Sequence, residues 1–248
     1  MNIEQRSEGL VKLTGTIENY RVTREEASFV FTDTDRTKLG VTAIAAGIAG
    51  LSGPAIATAA NAASAEEHAD YVEFDLDGKP IKGWVWRSPF NNGDDVEVAA
   101  EWREDHYETA GIARPIDRII ALYPHCSRGK ARHIKNAVKW WLIGVTLFLV
   151  GAGGPVLGIM LASVESPRDL LADVFPNGLL AMSMCFYGFF GLMTLSLARK
   201  WMPFVRLTER VCSTLGIPDA GNVDLVKSSK AQRKPDDAGE YGTFYFRY

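Results

Sequence analysis

Sulfur chemistry is sparse in this chain of 248 residues, which carries only Cys126, Cys185 and Cys212, widely scattered and odd in number. Such usage implies no disulfide framework and fits synthesis in a reducing cytoplasm. Catalytic signatures are missing too: there is no G-x-S-x-G elbow, H-E-x-x-H helix or phosphate-binding loop. His125, Cys126 and His133 lie close in sequence, but a metal site wants a fourth ligand at characteristic spacing, and none is there. Glu101, Glu104, Asp105 and His106 read as solvated surface beside a turn. An enzyme is therefore not expected, nor a metal or other cofactor. A net charge of −3 and a pI near 5.9 argue against nucleic acid as the main partner. Met1–Leu10 carries Glu4, Arg6 and Glu8 and no apolar run, so no signal peptide is read there. Either another export route carries the protein to a target, or it resides in the inner membrane through its own internal spans.

What the chain does have is three long uncharged stretches with regularly placed glycines. Leu39–Ala65 is mostly alanine and glycine, with Gly40, Gly47, Gly50 and Gly53. Trp140–Val164 places Gly144, Gly151 and Gly158 seven apart, and Val174–Ala198 carries Gly178, Gly188 and Gly191. Each exceeds the roughly 18 residues that mark a candidate span. A seven-residue repeat keeps glycines near one helix face, where the missing Cβ lets a neighbouring helix approach. That neighbour is a second copy in one reading and another helix of the same chain in the other. Trp140–Leu161 holds eleven Leu, Ile, Val or Phe residues, each worth about −0.3 to −0.6 kcal/mol towards insertion. Trp140, Trp141 and Trp201 flank the second and third stretches, where an indole keeps its N–H wet at the headgroup level. The first stretch is marginal. Alanine and glycine gain little on leaving water, and Pro54 interrupts a helix there. It reads either as a late-inserting segment or as small helices packed on a neighbouring domain.

Around these stretches the pattern is β. Val11, Leu13, Gly15 and Ile17 alternate with polar residues, and Ala27–Phe31 is a second short strand candidate. Tyr71–Leu76, the Asp77-Gly78 turn and Ile81–Trp86 form a hairpin signature. Val96–Trp102, His106–Ala113 and Arg118–Leu122 follow. The expectation is an α+β, membrane-associated chain with a small antiparallel, OB-like β domain at 1–124 and a helical Ala/Gly insert at 39–65. A basic linker follows at 125–139, then a transmembrane helical hairpin at 140–201 and a C-terminal helix and tail at 202–248. Basic residues Arg128–Lys139 and Arg199-Lys200 flank the hairpin, and Glu165, Asp169 and Asp173 lie in its loop.

Three features together resemble a known group: the Ala/Gly segment with Gly40 and Gly47, the strands Tyr71–Phe74 and Gly83–Phe90, and the hairpin after Tyr123–Cys126. They look like the glycine-zipper, pore-forming effectors of bacterial type VI secretion systems. The resemblance runs up to about Trp201, with the tryptophan-rich strand its sharper feature. It implies an antibacterial toxin that leaves the producing cell's cytoplasm on a secretion carrier or spike component. In the target it would enter the inner-membrane lipid, self-associate and conduct ions, and a cognate immunity protein would protect the producer. No catalytic residue transfers. The competing expectation is a resident inner-membrane immunity or scaffold protein with a cytosolic OB-like domain.

Overall fold

Asp77 and Gly78 both have positive φ (49° and 76°), the signature of the type I′ turn whose twist suits a two-residue hairpin. In the computed structural model this turn joins β2 (Glu67–Leu76) to β3 (Lys79–Val85), with Leu76 opposite Lys79. The structure describes residues 9–27, 67–163, 178 and 180–248. The Ala/Gly segment at 39–65, with Gly40, Gly47, Gly50 and Gly53, lies outside the described residues, as does the acidic loop at 165–173.

β1 (Val11–Ala27) is one strand of 17 residues. The sequence reads a break after Ile17; the chain instead continues through a bulge, where the register shifts between Glu18 and Arg21 and Asn19 takes φ 53°. A bulge adds a residue without ending the ladder and bends the strand. That bend lets β1 serve two neighbours. Val11–Thr16 pairs with β4 (Asp95–Trp102), and Ile17–Ala27 pairs with β2. β4 pairs with β5 (Tyr107–Arg114), and β5 meets β3 in parallel at Ile81↔Tyr107 and Lys82↔Glu108. The circuit closes a five-stranded barrel. Gly83 permits the closure, because a Cβ there would sit 2.8 Å from the Thr109 carbonyl oxygen.

Alternation then sorts the side chains. Ile17, Val72, Phe74, Ile81, Val85, Val98 and Ile112 fill one core cluster. A second cluster joins Ala110, Ile120, Leu122 and Cys126 to an amphipathic C-terminal helix. That helix, Met202–Thr214, buries Phe204, Leu207 and Val211, each worth about 1.5–3 kcal/mol when fully removed from water. Gly111 lets it approach, since a Cβ there would meet Val211 Cγ1 at 2.7 Å. β6 (Ile119–Leu122) extends the sheet and pairs with the two-residue β7 (Phe246–Arg247). Arg247 is buried and its guanidinium is satisfied by the Asp237 carboxylate, the Gln232 and Asp117 carbonyls and the Tyr241 hydroxyl.

The chain forms two compact units. One comprises Met1–Arg132 with Met202–Tyr248 and contains the barrel; the other is His133–Trp201. Both ends of the second unit therefore connect covalently to the first.

Candidate membrane-active helices

The second unit is helical. α1 (Lys130–Phe148) runs on through a π-helical turn, Leu149–Gly153, into α2 (Gly154–Ser163). The cause of the turn is in the sequence. Pro155 has no N–H to give the Gly151 carbonyl, and a single wide turn is a common way for a helix to absorb such a fault. α3 (Leu180–Lys200) follows. Two stretches, Lys130–Val156 of 27 residues and Leu180–Lys200 of 21, are long and apolar enough to cross a membrane. At about 1.5 Å per residue they measure roughly 40 and 32 Å, against about 30 Å for a hydrocarbon core.

Their surfaces are not those of core helices. Val145 is the one buried residue of α1, and α3 has none. Leu147, Val150, Ile159, Phe189 and Leu192 are 61–70% exposed. A soluble protein rarely leaves so continuous an apolar surface uncovered.

The two helices touch along an antiparallel line. His133 Nε2 donates to the Ala198 carbonyl at 3.2 Å, and far along the pair Phe148 meets Phe186 and Phe190 with centroids 5.5 and 5.9 Å apart. Between them Trp141 stands edge-on to Tyr187. The Thr146 hydroxyl donates to the Leu142 carbonyl, so the Tyr187 hydroxyl, 2.7 Å away, donates to Thr146. This polar pair is invisible to a reading by hydropathy, because one Thr and one Tyr do not interrupt an apolar run.

The glycines divide into two kinds. A Cβ on Gly144, Gly151, Gly153, Gly154, Gly158 or Gly188 would meet no described atom within 4 Å. Gly191 is different: a Cβ there would lie 3.1 Å from Trp141 Cζ2. Among the described residues, packing accounts for Gly191 and leaves the other faces open. The tryptophans divide as well. Trp140 and Trp201 are exposed, whereas the half-buried Trp141 turns its ring onto Gly191. Its Nε1 is buried without a hydrogen-bond partner among the described residues.

The basic run is partly structural. Arg128 and Arg132, of the barrel unit, bind the two oxygens of Asp224 at 3.2 and 2.9 Å. Asp224 also caps the short C-terminal helix Leu225–Ala231 by accepting from the Lys227 amide. Burial pushes the Asp224 carboxyl up, but Arg132, the Lys227 amide and Arg128 together hold it below the usual carboxylate range.

The remaining candidates carry no chemistry that the geometry assembles. Burial pushes the Cys126 and Cys212 thiols up to about 12, and Cys126 Sγ donates to the Phe204 carbonyl. Such thiols stay protonated and unreactive. Among the described residues no group of three His, Cys, Asp or Glu is placed to hold a metal ion. Near the β4–β5 turn, Arg103 pairs with Glu101 and Glu108. Asp105 bonds the next residue, His106, there. Comparison with known families, characterised proteins and solved structures finds no match to this chain.

Proposed function

We propose that the protein is an antibacterial effector of the type VI secretion kind, which inserts its helices into a target cell's inner membrane and forms an ion-conducting pore. The observation that carries this reading is the pair of membrane-length helices with an almost wholly exposed apolar surface. The open glycines support assembly. With Gly144, Gly151, Gly158 and Gly188 unopposed among the described residues, their close-approach faces are available to further copies. The described span residues Trp141–Ser163 and Leu180–Ala198 contain no ionised side chain. Selectivity by a charged ring has no source there, and close glycine packing leaves a narrow lumen that passes ions rather than large solutes.

The barrel contributes topology. Its strand circuit β1-β2-β3-β5-β4, with a long bent first strand, is the order of an OB-like barrel, and we assign it that fold. In this reading the spans enter and return as a hairpin, an even number of crossings, which the covalent joining of both ends of the helical unit to the barrel unit supports. Ala27 and Glu67, the described residues on either side of 28–66, are likewise paired. A carrier or spike component would deliver the protein, and an immunity protein would protect the producing cell.

Directed expression tests the reading. Protein sent to the periplasm of a susceptible bacterium should collapse a potential-sensitive dye signal, with little entry of a large-molecule leakage dye, and cytoplasmic expression should do less. An unchanged potential with confirmed periplasmic protein refutes the pore. A second reading, a resident inner-membrane immunity or scaffold protein, is favoured by the basic residues flanking one end of the helix pair, which suit ordinary insertion from the cytoplasm. It places the barrel in the cytoplasm and predicts no depolarisation.

A further inference from the structure

The charges on the described residues of the helical unit are of one sign and at one end. Its described residues, 133–163, 178 and 180–201, include Lys135, Lys139, Arg199 and Lys200 and no Asp or Glu. The His133–Ala198 contact sets the two charged helix ends side by side. The Phe148–Phe186 contact lies in an uncharged stretch farther along. All four cations are exposed. Lys139 Nζ lies 5.9 Å from the Trp140 ring centroid, and Trp140 and Trp201 are 65% and 39% exposed. Lys139 sits about 9 Å farther along the helix than His133, a depth from which a four-carbon stem and its ammonium can snorkel back to the surface.

A ligand for this end must match two things at once. It needs negative charge for the cations, and it needs an apolar body to continue along the exposed Val138, Leu142, Leu195 and Leu197. Inorganic phosphate and an acidic protein patch supply the first without the second. An anionic phospholipid supplies both, and indoles at the charged margin are what the headgroup level selects. We propose that this end of the helix pair is a binding site for anionic phospholipid headgroups in the leaflet the helices enter. The assignment rests on the reading that they do enter a bilayer.

Sedimentation of the full chain with vesicles tests it. One set is phosphatidylcholine alone, the other equal parts phosphatidylcholine and phosphatidylglycerol. Each surface cation is worth about fivefold in affinity, so the parent should prefer the mixed vesicles by about 100-fold or more. Lys139→Gln, Arg199→Gln and Lys200→Gln should each lose about fivefold, and the triple variant nearly all of the preference. Lys139→Arg with Arg199→Lys and Lys200→Arg should retain it, which controls for folding. Inorganic phosphate should displace no more protein than chloride at equal ionic strength. Equal binding to both vesicles overturns the headgroup site and leaves membrane insertion standing. A phosphate-specific displacement overturns it in favour of a free-anion site, and a triple variant that keeps the preference overturns the residues named. Binding to neither vesicle overturns this site and the membrane reading together.

Discussion

Leucine in place of Gly191 or Gly151 separates packing inside the chain from packing between chains. At Gly191 the first added carbon would lie 3.1 Å from Trp141 Cζ2 and 3.3 Å from Cε2. Carbon atoms prefer about 3.5–4.0 Å, so the indole must move even for alanine, and leucine adds three more carbons. Overpacking of this kind costs roughly 1–3 kcal/mol. At Gly151 no described atom lies within 4 Å of the Cβ position, so the described residues give leucine there no such clash. Relief from glycine's poor helix propensity, at most about 1 kcal/mol, is common to both sites and cancels in the comparison. Helix pairing should therefore be weaker in Gly191→Leu than in Gly151→Leu by about 1–3 kcal/mol, a factor of roughly 5 to 150. The full chain in detergent micelles, titrated with denaturant and followed by near-ultraviolet circular dichroism, reads that difference. Trp141→Ala should rescue Gly191→Leu and do nothing for Gly151→Leu, because only the first pair is in contact. In membranes the order should reverse, with Gly151→Leu losing cross-linked oligomers and depolarisation while its helix pair stays intact. Equal destabilisation of the pair by both variants, or no coupling to Trp141, would refute the division of the glycines.

Two further outcomes concern the barrel unit. Gly83→Ala puts a carbon 2.8 Å from the Thr109 carbonyl oxygen, an atom of fixed backbone. It should cost on the order of 1–3 kcal/mol and lower the thermal midpoint of the β unit, whereas alanine at Gly78, with open space around it, carries only the strain of its positive φ. Asp224 has its pKa lowered in the fold despite burial, through Arg132, the Lys227 amide and Arg128. Its contribution is therefore complete above the unfolded carboxylate value of about 3.9 and disappears as pH falls through the lower folded value. Asp224→Asn keeps a capping side chain, should cost about 1–2 kcal/mol near neutral pH, and should flatten the acid limb of a stability–pH curve. An acid limb identical to the parent's would show that the arginine pairing adds nothing.

Much of the architecture is local and was legible. The Asp77-Gly78 turn, the alternating strands on either side of it, the amphipathic stretch ending near Leu215 and the two long apolar helices each follow from neighbours within a few residues. Some local signals misled. The residues between Ile17 and Ala27 read as a break because their polarity hides a strand exposed along its edge, and the polar run from Lys227 conceals a short helix that starts from the Asp224 cap.

By itself the sequence determined composition, periodicity and length. Those are properties of contiguous residues, and they suffice to specify apolar helices of membrane length with cations at one end. Tertiary structure alone decided which distant residues meet. The parallel seam of β3 and β5, Arg128 and Arg132 on Asp224, and Arg247 sealed beneath the C-terminal turn all join positions whose partners no local pattern names. The glycines show the distinction most directly. Gly191 and Gly151 look alike in the sequence, yet one receives an indole and the other meets no described atom within 4 Å. Whether a missing Cβ is filled depends on how two helices align, and that is set by the side chains of both.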